Sequence, residues 1–143
     1  MALSRNEEVE LVLRAQAGDA EALACLVEEY YAPRIAWLAR RYRCRGLPKD
    51  DQIQNGKEAF IRALRQFDPA FGTRLWTYVS KVVKSAMIAA CAEQLGLSDR
   101  ARKYYGRVVN AYDRMQQNRQ SAPTAAEVAQ ACDVSVRVVE EVF

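Results

Sequence analysis

The sequence predicts an all-α protein, and three observations support that fold class. Apolar residues recur at three- and four-residue steps through most of the 143 residues, which is the spacing of one helix face. Ser4 with Glu7, and Thr124 with Glu127, match the capping box that begins a helix. Glycines and prolines fall between the periodic segments, where such residues end helices.

Two helices are predicted in the amino-terminal third of the chain. The first covers residues 8–17 and ends at Gly18. Asp19 caps the second helix, since a short polar side chain there can accept hydrogen bonds from the first helical N–H groups. We expect this helix to run to about Tyr42 with a bend at Pro33, because proline removes a helix hydrogen bond.

After a loop at residues 46–50, residues 51–67 predict an amphipathic helix that Asp50 or Asp51 caps. Its buried side comprises Ile53, Gly56, Phe60, Leu64 and Phe67. The opposite side comprises Asp51, Gln54, Asn55, Glu58 and Arg62. Its acid and amide residues, Asp51, Gln54, Asn55 and Glu58, are here termed the docking face. Such a face is either an ordinary solvated helix surface or a seat for the arginines of a protein partner. The pattern alone leaves both alternatives open.

A helix of different character follows a turn at Pro69 and Gly72. Its buried stripe comprises Val79, Val82, Val83 and Ala86. The other side, here termed the cationic face, carries Arg74, Trp76, Thr77, Tyr78, Lys81, Lys84 and Ser85. Cations neutralise phosphates and flat rings stack on bases, so this face predicts binding of single-stranded nucleic acid. For Trp76 or Tyr78 taken singly, a half-buried anchor at the start of the helix is an equal alternative.

Gly96 and Ser98 indicate a linker between two predicted domains, residues 1–95 and residues 96–143. The helix after the linker has a regular buried seam of Ala101, Tyr105, Val108, Tyr112 and Met115. Its opposite side is a mostly basic stripe of Lys103, Arg107, Asn110 and Arg114. Two basic surfaces are therefore expected, one in each domain.

The last two predicted helices have a helix-turn-helix pattern. Asp133 stands where a residue in the left-handed conformation ends the first of them, and Ser135 caps the second. Glu140 and Glu141 give that second helix an acidic surface. This charge argues against insertion into the DNA major groove.

The net charge of +3 conceals a strong segregation along the chain. Residues 1–29 hold two basic and seven acidic residues, and residues 115–143 hold two and four. Residues 34–114 hold seventeen basic and seven acidic residues. The middle of the chain is therefore the part expected to contact a polyanion. The arginine-rich run at residues 40–45, taken alone, is typical of a solvated helix end.

Several classes of function are disfavoured by residue content. The four cysteines, Cys25, Cys44, Cys91 and Cys132, lack metal-ligand spacing, and the chain has no histidine. We therefore expect no metal and no cofactor, with Cys25 an ordinary buried thiol. No nucleophile–base pairing or glycine-rich phosphate loop is present, so the chain is not expected to be an enzyme. Without a signal segment or an apolar run of spanning length, the expected location is cytoplasmic, without membrane contact.

Three stretches resemble bacterial RNA polymerase sigma factors of the sigma-70 family. Residues 51–56 read DQIQNG, followed by Phe67-Asp68-Pro69, Gly72 and Thr77-Tyr78, in the order of the second conserved region of that family. Residues 16–22, QAGDAEA, are similar to the helix that begins this domain. Residues 123–129, PTAAEVA, are similar to a helix of the third domain.

The resemblance implies helical sigma domain two followed by a small three-helix sigma domain three. The implied function is a sigma factor that directs RNA polymerase to promoters by binding rather than by catalysis. The docking face would bind core RNA polymerase on the clamp of its largest subunit, and an anti-sigma protein is a candidate partner. The helix from Arg74 to Ile88 would bind unpaired bases of the non-template strand at the melted minus-ten element. Lys103, Tyr104 and Arg107 would contact promoter DNA just upstream.

The sequence also departs from the housekeeping members of the family. Lys81 and Val82 replace two adjacent tryptophans, Trp76 replaces a small serine, and Asn55 replaces a glutamate of the docking face. The housekeeping promoter consensus is therefore not expected. Two alternatives remain: a sigma-like adaptor or decoy that binds polymerase without opening DNA, and a plain helical interaction module.

The helix that follows Ser135 meets no stop signal before Phe143. We therefore expect the native protein to continue into the fourth domain that usual family members carry. The competing interpretation is a naturally short sigma factor.

Overall fold

Eight α-helices account for most of residues 3–143, the part of the chain that the computed structural model describes. They are α1 (Arg5–Gln16), α2 (Ala20–Ala24), α3 (Ala32–Arg41), α4 (Lys49–Gln66), α5 (Leu75–Leu95), α6 (Asp99–Gln117), α7 (Ala125–Cys132) and α8 (Val136–Val142). These residues form no β-strand, so the predicted all-α class is confirmed. None of the described helices combines the length and apolar character needed to cross a lipid bilayer.

Side-chain hydrogen bonds cap the beginnings of the first two helices. Ser4 and Glu7 form the predicted capping box, each side chain accepting the backbone N–H of the other. Helix α1 begins at Arg5, three residues earlier than the pattern suggested. Asp19 caps α2 as predicted, with its carboxylate accepting the N–H groups of Glu21 and Ala22.

The predicted continuous helix up to Tyr42 is wrong. It is divided into α2, a π-helical segment at Cys25–Tyr30, and α3. The N–H of Tyr31 donates to the carbonyl of Leu26, five residues back, at 2.8 Å. Pro33 lies in the first turn of α3, where a missing N–H costs little. The π-helical segment before Pro33 separates α2 from α3. The helix is therefore interrupted before Pro33 and is not bent at Pro33.

Helix α4 begins at Lys49, and neither Asp50 nor Asp51 is its cap. The cap position belongs to Pro48, which makes no side-chain capping bond. Asp50 and Asp51 lie in the first turn, where the positive end of the helix dipole favours a carboxylate. A short 3₁₀ turn at Pro69–Phe71 and the left-handed Gly72, with φ of 79°, then reverse the chain into α5.

Helices α4 and α5 form the centre of the molecule, and their contact depends on Gly56. A Cβ atom at that position would lie 2.6 Å from Cε of Met87 and 2.9 Å from Cγ2 of Ile35. The absence of a side chain therefore allows α4 to approach both α3 and α5. Gly56, Phe60, Leu64 and Phe67 are buried as predicted, whereas Ile53 is only half-buried.

The three carboxy-terminal helices pack against one another, and α6 also packs against α5. Ser98 caps α6 as predicted, with its hydroxyl accepting the N–H of Ala101. Thr124 and Glu127 form the second predicted capping box. Asp133 adopts the predicted left-handed conformation, with φ of 57°. Helices α5 and α6 are in contact on either side of residues 95 and 96. The division into two domains at that point stays a prediction.

Candidate functional site

The docking face lies on the exposed side of α4. Asp51, Gln54 and Glu58 are exposed, whereas Asn55 is half-buried and its Nδ2 donates to Oε1 of Gln52 at 3.1 Å. Among residues 3–143, neither Asp51 nor Glu58 forms an ion pair. The face therefore presents two uncompensated carboxylates and an amide to a partner.

A buried amide fixes the helix that carries the docking face. Gln52 is 1% exposed, and its Nε2 donates to the carbonyls of Tyr42 at 2.7 Å and Met87 at 3.0 Å. These bonds join α4 to the end of α3 and to the middle of α5. A glutamine beside Asp51 is expected at the surface from sequence alone. The sequence analysis therefore did not predict that Gln52 joins α4 to α3 and α5.

Arg74, the first residue of the cationic face, binds a buried carboxylate of the same protein. The guanidinium of Arg74 forms an ion pair with Glu8, with Nη2 and Oε2 2.9 Å apart. Burial raises the pKa of the Glu8 carboxyl, but bonds from Arg74, Tyr31 and the N–H of Leu75 outweigh burial and lower it overall. The Arg74 charge is therefore compensated by Glu8, although 44% of the Arg74 side chain stays exposed.

Trp76 is likewise engaged by its neighbours. Its ring stacks on Tyr31, with centroids 5.5 Å apart and planes 9° apart. The guanidinium of Arg34 lies 5.6 Å from the Trp76 ring centroid. Trp76 is half-buried, so this arrangement is that of an anchor at the start of α5.

The rest of the cationic face is available at the surface. Thr77, Tyr78, Lys81, Lys84 and Ser85 are all exposed. Tyr78 leans on Phe67, with ring centroids 5.5 Å apart, and keeps 36% of its surface. Ile88 is half-buried and faces Gly106 of α6, where a Cβ atom would lie 3.4 Å from its Cδ1.

The predicted basic stripe of α6 surrounds an aromatic ring. Nζ of Lys103 lies 5.4 Å, and Cζ of Arg107 lies 5.0 Å, from the ring centroid of Tyr104. Arg107 also donates to the carbonyl of Cys132 at the end of α7, at 3.2 Å. These contacts orient both cations on the surface of α6.

A groove brings the cationic face and the basic stripe together. It encloses about 540 Å³ between α3, α5 and α6 and is lined by Trp37, Arg41, Tyr42, Lys84, Arg107, Asn110 and Arg114. The sequence analysis identified the residues from α5 and α6 but not Trp37 or Arg41. Their spacing of four residues on one helix face was the available signal.

The cysteines have different surroundings. Cys91 and Cys132 are buried, whereas Cys25, expected to be buried, is half-buried, as is Cys44. Burial, with the neighbouring Cys91 thiol as a smaller cause, raises the pKa of the free Cys44 thiol. Cys44 is therefore protonated near neutral pH.

The central part of the chain is similar to a known protein family. Residues 27–94 match the family described as sigma-70 region 2. Over 144 residues the chain is 29% identical to the RNA polymerase sigma factor SigA of a Bacillus species, covering 99% of this chain and 38% of that protein. It is 28% identical over 145 residues to SigA of Listeria monocytogenes, with the same coverage. The chain thus spans about two fifths of the length of these curated relatives. The matched residues include α3, α4 and all but the last residue of α5.

Proposed function

We propose that this chain is a member of the sigma-70 family and acts as a sigma factor in transcription initiation, because residues 27–94 match region 2 of that family. Residues 1–95 bind the clamp of the largest subunit of core RNA polymerase and the melted minus-ten element, and residues 96–143 contact DNA upstream. The protein acts by binding, in the cytoplasm, without catalysing a reaction of its own. The observation that carries the proposal is the exposed, unpaired docking face on α4.

The docking face is suited to arginine-rich protein surfaces. Asp51 and Glu58 have no internal cation to satisfy them within residues 3–143, and Gln54 lies exposed between them. A partner's arginine can form two parallel hydrogen bonds to a carboxylate, which are stronger than neutral ones. Asn55 contributes less, because its amide already binds Gln52.

The side chains that we propose as DNA contacts differ in how accessible they are to DNA. Thr77, Tyr78, Lys81, Lys84 and Ser85 are free to meet unpaired bases and phosphates. Lys103, Tyr104 and Arg107 form a second basic and aromatic surface for the upstream DNA. Arg74, Trp76 and Ile88 remain proposed contacts. Their contacts within the protein leave less of each side chain available to bind DNA.

The docking assignment is tested with the double variant Asp51→Ala, Gln54→Ala. Loss of charge-assisted contacts should weaken binding to core RNA polymerase by about 2 to 4 kcal/mol. The matched control is Glu140→Ala with Gln130→Ala, which also removes one exposed acid and one exposed amide, from α8 and α7. Affinities are measured by titrating labelled protein with core enzyme, and helicity by circular dichroism. Unchanged affinity in the Asp51, Gln54 variant would contradict the docking assignment.

A second candidate is an adaptor or decoy that binds polymerase without opening promoters. The internal engagement of Arg74 and Trp76 favours it, because two residues predicted to read DNA are held by Glu8 and Tyr31. Promoter-dependent transcription with added core enzyme separates the two candidates. A promoter-specific transcript supports the sigma factor, and core binding without a transcript supports the adaptor. Absence of core binding would leave only a plain helical interaction module.

A further inference from the structure

The groove between α3, α5 and α6 contains an indole that the predicted DNA-contacting residues do not include. Trp37 is 50% exposed, although a large apolar ring gains free energy when it is buried. Cζ of Arg41 lies 5.4 Å from the Trp37 ring centroid, within the range of a cation–π contact. The ring is therefore positioned at the groove while half of its surface stays open.

Arg41 is itself fixed from the far side of the groove. Its Nη2 and Nε donate to Oδ1 of Asn110 at 2.8 and 3.2 Å, and Nε lies 3.7 Å from a carboxylate oxygen of Asp113. These bonds tie α3 to α6 across the groove. The platform made by Trp37 and Arg41 thus exists before any ligand arrives, which lowers the ordering cost of binding.

The other walls supply positive charge. Lys84 comes from α5, and Arg107 and Arg114 come from α6. Within residues 3–143 none of these three cations forms an ion pair, and Asp113 pairs with Arg41. Uncompensated cations that converge on one groove repel each other, and a bound polyanion relieves that repulsion.

We propose that this groove binds one stretch of single-stranded nucleic acid, with a base against Trp37 and its phosphates at Lys84, Arg107 and Arg114. The inference rests on the proposed function, to which it adds α3 as a third DNA-contacting element. A single strand is favoured over a duplex because an indole needs an exposed base face, and paired bases in a stack offer none. Trp37 would then supply base stacking that Trp76, held against Tyr31, does not.

The test measures binding of a fluorescein-labelled oligothymidine, alone and with core RNA polymerase present. Trp37→Ala should weaken binding about 5- to 150-fold, the range that loss of one base–aromatic stack gives. Trp37→Phe should retain most of the affinity because it keeps a flat ring. Arg114→Gln, at an exposed position where the fold should tolerate it, should lower the slope of log affinity against log salt by about 0.7. Arg137→Gln removes an exposed cation from α8, outside the groove, and is the matched control.

Two outcomes would overturn this inference without contradicting the proposed function. Wild-type affinity in both Trp37→Ala and Arg114→Gln, with weakened binding in Lys81→Gln, would overturn the groove assignment and leave the proposed function intact. Equal losses in Arg114→Gln and Arg137→Gln would also overturn it, because attraction would then be diffuse. Failure of the wild-type chain to bind oligothymidine in either setting would count against both.

Discussion

Glu8 lies in the protein core, and groups from two distant parts of the chain satisfy its carboxylate. It is 3% exposed. The hydroxyl of Tyr31 donates to it at 2.6 Å, Nη2 of Arg74 at 2.9 Å, and the N–H of Leu75 at 2.9 Å. A buried carboxylate without such donors would be strongly destabilising. The network therefore fixes α1 against the start of α5, next to the cationic face.

Replacement of Glu8 by glutamine should destabilise the protein and change its response to acid. Loss of hydrogen bonds to a charged group predicts a fall in the free energy of unfolding of about 1.5 to 3 kcal/mol at neutral pH. Because the pKa of Glu8 is lower in the folded state, its stabilisation is complete above the ordinary value of 4.5. That stabilisation is lost as the pH falls through the lowered value.

Urea titrations between about pH 7 and pH 3 measure this effect. The wild type should lose more stability on acidification than Glu8→Gln does. Glu10→Gln, an exposed position on the same helix, should keep wild-type behaviour. Identical acid dependence in the wild type and Glu8→Gln would contradict the assigned role.

Helix ends were predictable from sequence where they depend on neighbours in the chain. Ser4 with Glu7, Asp19, Ser98 and Asp133 all act within about four residues of themselves, so their chemistry is visible in a short window. The π-helical segment at Cys25–Tyr30 was not predictable in that way. Its Leu26 and Val27 are buried, and the segment contacts α4, which lies far along the chain and outside any short window.

The same distinction applies to the candidate site. The exposed lysines of α5 follow from helical periodicity, which separates them from the valine stripe. The burial of Gln52 depends on carbonyls of Tyr42 and Met87 in other elements. The groove at Trp37 likewise exists only when α3 meets α6, and no window of sequence contains that contact.

The packing of α4 and α6 gives opposite predictions for the same substitution. Gly56→Ala would force a Cβ atom within 3.0 Å of Ile35 and Met87. Overpacking should outweigh the gain in helix propensity, lowering the free energy of unfolding by about 1 to 2 kcal/mol. At Gly106 the nearest atom, Cδ1 of Ile88, would be 3.4 Å away. Gly106→Ala should therefore stabilise the protein by about 0.5 to 1 kcal/mol.

Both glycine variants can be measured by urea unfolding under identical conditions, with each serving as the control for the other. The opposite signs distinguish close helix contact from helix propensity, since propensity alone would make both variants more stable. A stabilised Gly56→Ala would show that α4 does not approach α3 and α5 as closely as the structure indicates.

On the scale of the whole molecule, surfaces of opposite charge serve different proposed partners. The docking face of α4 presents Asp51 and Glu58, whereas α5 and α6 present Lys81, Lys84 and Arg107. The net charge of +3 describes neither surface. If DNA binding followed net charge, any exposed cation would contribute equally to it. If it followed the placement of charge, cations on α5 and α6 would dominate.

The double variant Lys81→Gln, Lys84→Gln distinguishes these possibilities. It lowers the net charge from +3 to +1, as does the control Arg5→Gln with Arg137→Gln, whose cations lie outside α5 and α6. Loss of two phosphate contacts should reduce the salt slope for single-stranded DNA by about 1.4, at 0.7 for each contact. The control should leave the slope unchanged. Oligonucleotide titrations over a range of salt concentrations provide the measurement. Equal slopes in the two variants would mean that net charge drives binding, and an equal loss on duplex DNA would mean that α5 attracts phosphates without selecting unpaired strands.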